Sequence, residues 1–286
     1  QKMDIPFADS SIFPTYLLNK FAASEIVVAL TGDGGDEIFG GYDRYFATSL
    51  MHKYGNILEL MPFRLPGKSE RILKINRKLA RLKDESQVEG DLAYKYAHVM
   101  TLLKPTILKQ ILIDSEDFDV PIGDYRRDFL NRDASNLRLM MLSDVNNYLI
   151  GDLLVKADLA SMFNSLEVRS PLLDRKLAEF TYGLPDKFLI KGFTKKRILK
   201  DLTHTYVPRE LLDRPKIGFG VPMDKWLRSD LRPRFEDFLN NQNDLVWTWL
   251  RIEEVKSLYL RHLNGENLSR VIWPIFALHL WAKNNL

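Results

Sequence analysis

The hydrophobic and polar positions of this 286-residue chain predict one short buried strand near the N-terminus and helices through most of the rest. Residues 26–30 read Ile-Val-Val-Ala-Leu, a continuous apolar run typical of a central parallel strand that is covered on both faces. Apolar positions then recur at helical spacing, which predicts a helix beginning at Asp36 and Glu37 and continuing to Tyr54. The local order is therefore strand, glycine-rich turn, helix.

Further helices are predicted on both sides of this unit. One covers residues 9–24, with Pro14 in its first turn, where proline is tolerated. A loop over 55–68 precedes a basic helix over 69–82, and residues 84–135 are predicted to form several short helices. None of these stretches indicates a particular chemistry.

Helical spacing is dense again over residues 137–162, where the pattern predicts two helices with a bend at Gly151. Lys156 and Asp158 lie among apolar residues there, and a charge in such a place needs a partner or a ligand. A structural ion pair and a functional role explain them equally well. Residues 224–286 are predicted to be helical and structural.

Composition excludes several classes of protein. The net charge is only +3, and basic and acidic residues are interspersed, so no nucleic-acid-binding stripe is expected. The absence of cysteine removes disulfides, thiolate metal sites and a cysteine nucleophile, and the five histidines show no metal-ligand spacing. No apolar run approaches the ~20 residues that cross a bilayer, so we expect a cytoplasmic protein without a membrane partner.

The turn after the predicted strand carries the candidate chemistry. Glycines at 32, 34 and 35 allow a tight reversal with amide groups exposed, an arrangement that suits a phosphate at a helix start. Asp33, Asp36 and Glu37 would repel a bare phosphate, but Mg²⁺ held by one or two carboxylates and by the phosphates removes that conflict. The alternative is a glycine-rich connection in which Asp36 and Glu37 complement the helix dipole. Three carboxylates within five positions favour the Mg-nucleotide site.

A second candidate loop lies near residue 216. Two prolines and two glycines bracket Lys216 between residues 215 and 222, which predicts a loop able to become ordered on ligand binding. An exposed loop lysine without a role is the alternative.

Four segments together resemble the asparagine synthetase family. Residues 31–42, Thr-Gly-Asp-Gly-Gly-Asp-Glu-Ile-Phe-Gly-Gly-Tyr, resemble the family's second nucleotide motif, Ser-Gly-(Asp/Glu)-Gly-x-Asp-Glu-x-Phe-Gly-Gly-Tyr. Residues 4–11, 152–174 and 214–222 resemble three further family motifs and follow in the same order. The resemblance implies an α/β domain of the ATP-pyrophosphatase (adenine nucleotide alpha hydrolase-like) type, with a partial parallel sheet and mostly helices. It implies a single, incomplete domain over 1–286.

Within that domain, the resemblance implies a nucleotide-binding part over 1–54 and a mostly helical remainder over 55–286. The implied reaction uses ATP and Mg²⁺ to convert L-aspartate to β-aspartyl-AMP with release of pyrophosphate. Ammonia then displaces AMP to give L-asparagine. The resemblance is also compatible with a homodimer.

The same resemblance implies roles for individual residues. Thr31, Gly32, Asp33 and Gly34 would contact the nucleotide, and Asp36 together with Glu37 would hold Mg²⁺. Asp33 would also take part in forming the acyl-adenylate and in handling the proton of ammonia. Lys216 would be a mobile cation on the triphosphate. Glu167 would act at or brace the acyl-substrate pocket, together with Lys156, Asp158 and Arg169.

This chain also departs from the family pattern. Thr31 stands for the usual Ser, Ile5 for an acidic residue, and Asp33 is one methylene shorter than the Glu of some members. The family's Ser-Gly-Gly-x-Asp-Ser pyrophosphate loop and its Cys-nucleophile glutaminase, the source of ammonia from glutamine, do not occur in these residues. We therefore expect a piece of a longer protein with weak or no synthetase activity by itself.

Three other functions remain open at this point. A related enzyme could amidate another carboxylate, such as a sugar acid or a β-lactam precursor, with the same ATP motifs. A non-catalytic fragment could keep the fold without turnover. A metal-dependent nuclease or phosphatase would need further acidic ligands and would leave the loop glycines unexplained.

Overall fold

The computed structural model describes residues 3–60, 88–114, 122–130, 133–192, 194–212 and 218–286. Helices predominate in this part of the chain, together with a two-stranded parallel sheet. The helices of the first half are α1 (Ile12–Ala22), α2 (Gly35–Phe39), α3 (Asp43–Leu60), α4 (Leu92–Met100), α5 (Pro105–Ile111), α6 (Ile122–Asp128) and α7 (Asn136–Ser143). A π-helix (Asp144–Leu153) continues from α7 into α8 (Leu154–Met162).

The second half contains α9 (Arg175–Gly183), α10 (Arg197–Thr203), α11 (Arg209–Leu212), α12 (Met223–Arg228), α13 (Arg232–Asn240), α14 (Ile252–Leu263) and α15 (Ser269–Asn285). Short 3₁₀ turns lie at Pro171–Leu173, Asp186–Phe188 and Leu245–Thr248. The predicted helical character of 224–286 is confirmed, and Pro274 lies inside α15. None of the described helices is long and apolar enough to cross a membrane.

The sheet joins two distant parts of the chain. β1 (Val28–Leu30) runs parallel to β2 (Glu167–Arg169), with Val28 opposite Glu167 and Leu30 opposite Arg169. The N–H of Glu167 donates to the carbonyl of Val27 (2.9 Å), and the N–H of Thr31 donates to that of Arg169 (2.8 Å). Because ladder bonds alternate along a strand, the N–H and C=O groups of Val28 and Leu30 point to the opposite edge of β1.

The predicted strand over 26–30 is present, but it is shorter and is not central among the described residues. There it pairs with β2 alone, and Val27 and Leu30 remain 76% and 74% exposed. The prediction of a strand covered on both faces is therefore wrong for this part of the chain. The apolar run does indicate a strand, but no described element packs over its outer surface.

The predicted continuous helix from 36 to 54 is interrupted. α2 ends at Phe39, and Gly40 has a left-handed φ of +69°, which ends a helix readily because glycine has no Cβ. Gly41 then donates its N–H to the carbonyl of Asp36 (2.7 Å). The periodicity failed here because Phe39 and Tyr42 keep helical spacing across the break. α3 also extends to Leu60, so the predicted loop over 55–68 is wrong at its start.

The helix does not bend at Gly151 as predicted. A stretch of π-helix with wider turns runs there from Asp144 to Leu153 without ending the helix. Such segments occur frequently at functional sites. The predicted basic helix over 69–82 and the loop around Lys216 lie outside the described residues.

Two hydrophobic cores hold these elements. One packs α2, α3, α4 and α7 around Ile38, Phe39, Tyr45, Tyr96, Met140, Met141 and Leu189. The other lies in the C-terminal helices around Phe235, Phe238, Leu258 and Phe276. The ring of Phe276 makes an edge-to-face contact with Phe235 and a tilted contact with Phe238. A large cavity is lined by residues from both parts, including Tyr42 of the first and Trp273 of the second.

Candidate functional site

The glycine-rich loop (residues 31–36) is fastened to the chain that follows β2. Thr31 donates its N–H to the carbonyl of Arg169, and the hydroxyls of Thr31 and Ser170 are hydrogen-bonded at 2.8 Å. The loop therefore starts at the carboxyl end of β1, where parallel sheets place their ligand sites. The sheet brings residues 31–36 and 165–174 together, two of the segments that the sequence singled out.

Glycine is required where the loop meets the turn after β2. Gly34 has a φ of +83°, and a Cβ there would lie 2.2 Å from Cδ2 of Leu173. A Cβ on Gly35 would lie 2.9 Å from Cδ1 of Leu172. Gly32, by contrast, has no atom within 4 Å of such a position. Close packing fixes the rear of the loop, and the side of Gly32 is open to a ligand.

The two carboxylates at the start of α2 have different surroundings. Asp36 forms an ion pair with Lys196, with Oδ1 and Nζ 3.0 Å apart. Glu37 is only 1% exposed and accepts a hydrogen bond from the Tyr42 hydroxyl. Burial raises the pKa of Glu37, the Tyr42 bond opposes this, and the negative charges of Asp36 and Asp144 add to the rise. Consecutive helical residues point about 100° apart, so these side chains do not converge.

The surroundings of Asp36 and Glu37 determine which of the two carboxylates fits Mg²⁺. Within the described ranges, no group of three His, Cys, Asp or Glu side chains could hold a metal ion. Mg²⁺ in nucleotide sites uses one or two carboxylates together with substrate phosphates. Asp36 on the loop fits that limited role, with Lys196 beside it. Glu37 fits less well because Tyr42 already occupies its carboxylate.

Lys196 is a candidate residue that the sequence did not indicate. Its φ is +51°, an uncommon backbone conformation for a residue other than glycine. Its Nζ lies 3.5 Å from the Cβ position of Gly35, and its Cε lies 2.3 Å from that of Gly41. The lysine therefore lies across the loop, and neighbouring Lys195 contacts Asp43. No local signal identifies this role, because Lys196 and Asp36 are 160 positions apart.

Glu167 and Arg169 lie on one face of β2 and form an exposed ion pair, with 2.7 Å between Oε1 and Nε. The register places Arg169 next to the loop and Glu167 two residues further back. Glu167 does not line the large cavity. The structure thus brings Arg169 closer to the loop than the predicted catalytic Glu167.

Lys156 has the partner that a charge among apolar residues needs, in an ion pair with Asp9. Its Nζ lies 2.8 Å from Oδ2 of Asp9 and 2.9 Å from Oγ of Ser11, while Asp158 is exposed. One turn earlier, Asp152 faces the cavity. Burial, together with the negative charge of Asp9, raises the pKa of Asp152 to about 6.

The cavity has a volume of about 1200 Å³, enough for a nucleotide and a small second substrate. Its wall carries carboxylates from Asp9, Asp43 and Asp152 and cations from Arg44, Lys195 and Arg270. The break between α2 and α3 brings Tyr42 and Arg44 to this wall, and the π-helix contributes Tyr148 and Asp152. Sequence reasoning missed Arg44, Tyr148 and Arg270.

A buried carboxylate lies behind the cavity wall. Asp144 has no solvent exposure and accepts hydrogen bonds from Arg44 (2.6 Å), Tyr45 (2.5 Å) and Tyr96 (2.6 Å). Burial raises the pKa of Asp144, while Arg44 and the two hydroxyls favour its charged form. These contacts connect α3, α4 and the π-helix.

Comparison with known proteins identifies the family of the chain. The family model of asparagine synthase matches residues 1–283. The glutamine-hydrolyzing asparagine synthetase 1 of Bacillus subtilis (strain 168) is 28% identical over 99% of this chain and 44% of its own length. A putative glutamine-hydrolyzing asparagine synthetase of Mycobacterium tuberculosis (strain ATCC 25618 / H37Rv) is 29% identical over 79% of this chain and 34% of its length.

The chain spans less than half the length of these curated relatives. The family match nevertheless runs through the glycine loop, the segment after β2 and the C-terminal helices. By this match, the chain belongs to the asparagine synthase family.

Proposed function

We propose that these residues form the synthetase part of an ATP-dependent ligase that converts L-aspartate to L-asparagine. The observation that carries the proposal is the glycine loop at the end of β1, fastened through Thr31 and Ser170 to the segment after β2, with Asp36 and Lys196 paired across it. The similarity to glutamine-hydrolyzing asparagine synthetases supports an asparagine-forming reaction. We infer an ATP-pyrophosphatase-type fold for the complete domain.

In the proposed first step, a β-carboxylate oxygen of aspartate bonds to the α-phosphorus of ATP, and the bond to pyrophosphate breaks. In the second step, ammonia bonds to the acyl carbon, AMP leaves with the C–O bonding pair, and nitrogen loses a proton. Negative charge develops on phosphate and then on carbonyl oxygen, so fixed positive charge must lie nearby. A Mg²⁺ ion held on Asp36 would neutralise part of the triphosphate charge.

Residues in and around the loop have separate roles in these two proposed steps. The open side of Gly32 admits the nucleotide, and Thr31 places a hydroxyl at the end of the strand. Lys196 supplies a cation beside Asp36 that is already in place. Asp33 and Lys216 keep their predicted roles in this proposal, in acyl-adenylate formation and as a mobile cation, and Glu167 keeps its role as a residue that braces the acyl pocket.

The charges on the cavity wall favour an amino-acid acceptor over a plain carboxylate. Asp9 and Asp152 could receive an α-ammonium group, while Lys195 and Arg270 could receive an α-carboxylate. A sugar acid carries no ammonium group that could pair with Asp152. Glutamine-derived ammonia, a glutaminase domain and a homodimer remain part of the proposal for the intact protein.

The test is pyrophosphate release from Mg-ATP by the intact protein that carries these residues, with L-aspartate and ammonium. Release that needs aspartate and is lost in Asp36→Asn is the expected result. Asp230→Asn, an exposed carboxylate between α12 and α13, is the matched control and should behave like wild type. Release with another carboxylate but not with aspartate would contradict the acceptor, and no release with any acceptor would contradict the ligase.

A further inference from the structure

Arg44, which pairs with the buried Asp144, makes more polar contacts than packing of the core requires. Nη2 of Arg44 donates to Oδ2 of Asp144 (2.6 Å), and its Nε donates to the hydroxyl of Tyr96 (3.0 Å). Two donors on one edge of the guanidinium are thereby fixed, which sets the plane of the group. A buried ion pair is seldom worth more than an apolar pair of equal volume, so its orientation calls for another explanation.

The face of this guanidinium lies against aromatic rings on the cavity wall. Cζ of Arg44 lies 3.5 Å from the centre of the Tyr42 ring and 4.8 Å from that of Tyr148. A cation over an aromatic face is attracted to it within about 6 Å. Lysine at this position would keep the charge but lose the planar stacking and one of the two fixed donors.

Tyr42 connects the stacked cation to the glycine loop. It lies in the link between α2 and α3, where no helix sets the direction of its side chain. Its hydroxyl donates to Glu37, which adjoins Asp36 in the first turn of α2. The Arg44 guanidinium thus supports the face of the ring whose hydroxyl meets Glu37, while Tyr45 and Tyr148 contact the same ring edge-to-face.

We propose that Arg44, fixed by Asp144, is a positioning residue for the glycine loop, which it holds through the contact between Tyr42 and Glu37. Its kinetic consequence rests on the proposed function, whereas its effect on the unliganded loop does not. Asp144 is 107 positions from Glu37 in the sequence, so the packing of the π-helix sets the geometry of the loop.

Hydrogen exchange followed by mass spectrometry on the unliganded chain tests the structural part. The readout is the peptide 31–42, in which the N–H groups of Gly35, Ile38 and Gly41 donate to carbonyls of the loop residues Gly32, Gly34 and Asp36. Arg44→Met and Tyr42→Phe should each speed its exchange about tenfold, and the double variant should exchange no faster than either, because coupled residues are not additive. The helix α13 in the other core should be unaffected.

Arg138→Met is the matched control, since Arg138 is also buried and holds the carbonyl of Thr181 (2.9 Å) together with Asp186 (3.2 Å). It should leave the 31–42 peptide unchanged. If Arg44→Met does not fold, Arg44→Lys takes its place. Arg44→Lys should speed exchange of the 31–42 peptide to an intermediate extent, and this effect should again be non-additive with that of Tyr42→Phe. Unchanged loop exchange, equal rises in the loop and in α13, or effects that multiply to about a hundredfold in the double variant would overturn the proposal.

Kinetics of the intact protein test the functional part. Arg44→Met should raise KM for Mg-ATP about tenfold with little change in kcat, because a displaced loop weakens ground-state and transition-state binding alike. Arg138→Met should leave KM unchanged. A fall in kcat at unchanged KM would contradict positioning of the nucleotide loop. If wild type releases no pyrophosphate while the exchange results hold, the proposed function fails and the positioning role stands.

Discussion

Gly34 is the position on the glycine loop with the least space for a side chain. Its φ of +83° lies in the left-handed region, which disfavours alanine by about 1–2 kcal/mol. A Cβ there would lie 2.2 Å from Cδ2 and 2.7 Å from Cγ of Leu173, and overpacking of this kind costs about 1–3 kcal/mol. We expect Gly34→Ala to lower the free energy of unfolding by about 2–5 kcal/mol.

Urea denaturation followed by far-UV circular dichroism measures this change. Leu173→Ala removes the clashing side chain, so Gly34→Ala combined with Leu173→Ala should lose about 1–3 kcal/mol less than the sum of the single losses. Gly32→Ala is the control, because no atom lies within 4 Å and its φ is not left-handed. It should stay within about 1 kcal/mol of wild type. A Gly34→Ala loss below about 1 kcal/mol, or strictly additive losses, would refute this account of the loop.

Three further variants test other parts of the structure. Because burial raises the pKa of Asp152 to about 6, ionisation of this carboxyl disfavours the folded state as pH rises between about 4 and 7. The free energy of unfolding of Asp152→Asn, relative to that of wild type, should therefore be about 1–2 kcal/mol higher at pH 7.5 than at pH 4.5, as measured by urea titrations at both pH values. Lys196→Met should raise KM for Mg-ATP about tenfold in the intact protein, because it removes the cation beside Asp36, whereas Lys176→Met, at an exposed lysine, should have no effect. Asp244→Ala should lower the free energy of unfolding by about 1–3 kcal/mol, because Asp244 caps the turn Leu245–Thr248 and lies 2.8 Å from His279; an unchanged urea midpoint would contradict this.

The sequence was informative where structure depends on near neighbours. The apolar run 26–30, the glycines after it and Pro14 each act within a few residues, and the strand, the tight turn and α1 follow from them. The break at Gly40 was missed because glycine conformation is independent of the hydrophobic period, which continues from Phe39 to Tyr42.

The candidate site was predictable only in its local half. Asp36 belongs to a contiguous motif, but its partner Lys196 comes from a helix start far along the chain. Arg44 and Asp144 meet across 100 positions because α3 packs against the π-helix, and no spacing rule in a single sequence encodes such a pair. Lys156 was predicted to need a partner, yet only the fold identifies Asp9.

Among the residues that the structure describes, the edge of β1 opposite β2 has no partner strand, which has a consequence for handling the isolated chain. Unpaired N–H and C=O groups beside exposed apolar side chains are a template for pairing with a strand of another molecule. Concentrated samples should therefore form irregular oligomers through this edge, at a rate that rises steeply with concentration. Val27→Lys places a charge on the edge without touching the glycine loop, and light scattering should show that this variant stays dispersed. The strand that presents the loop is thus also a site at which copies of the chain can associate.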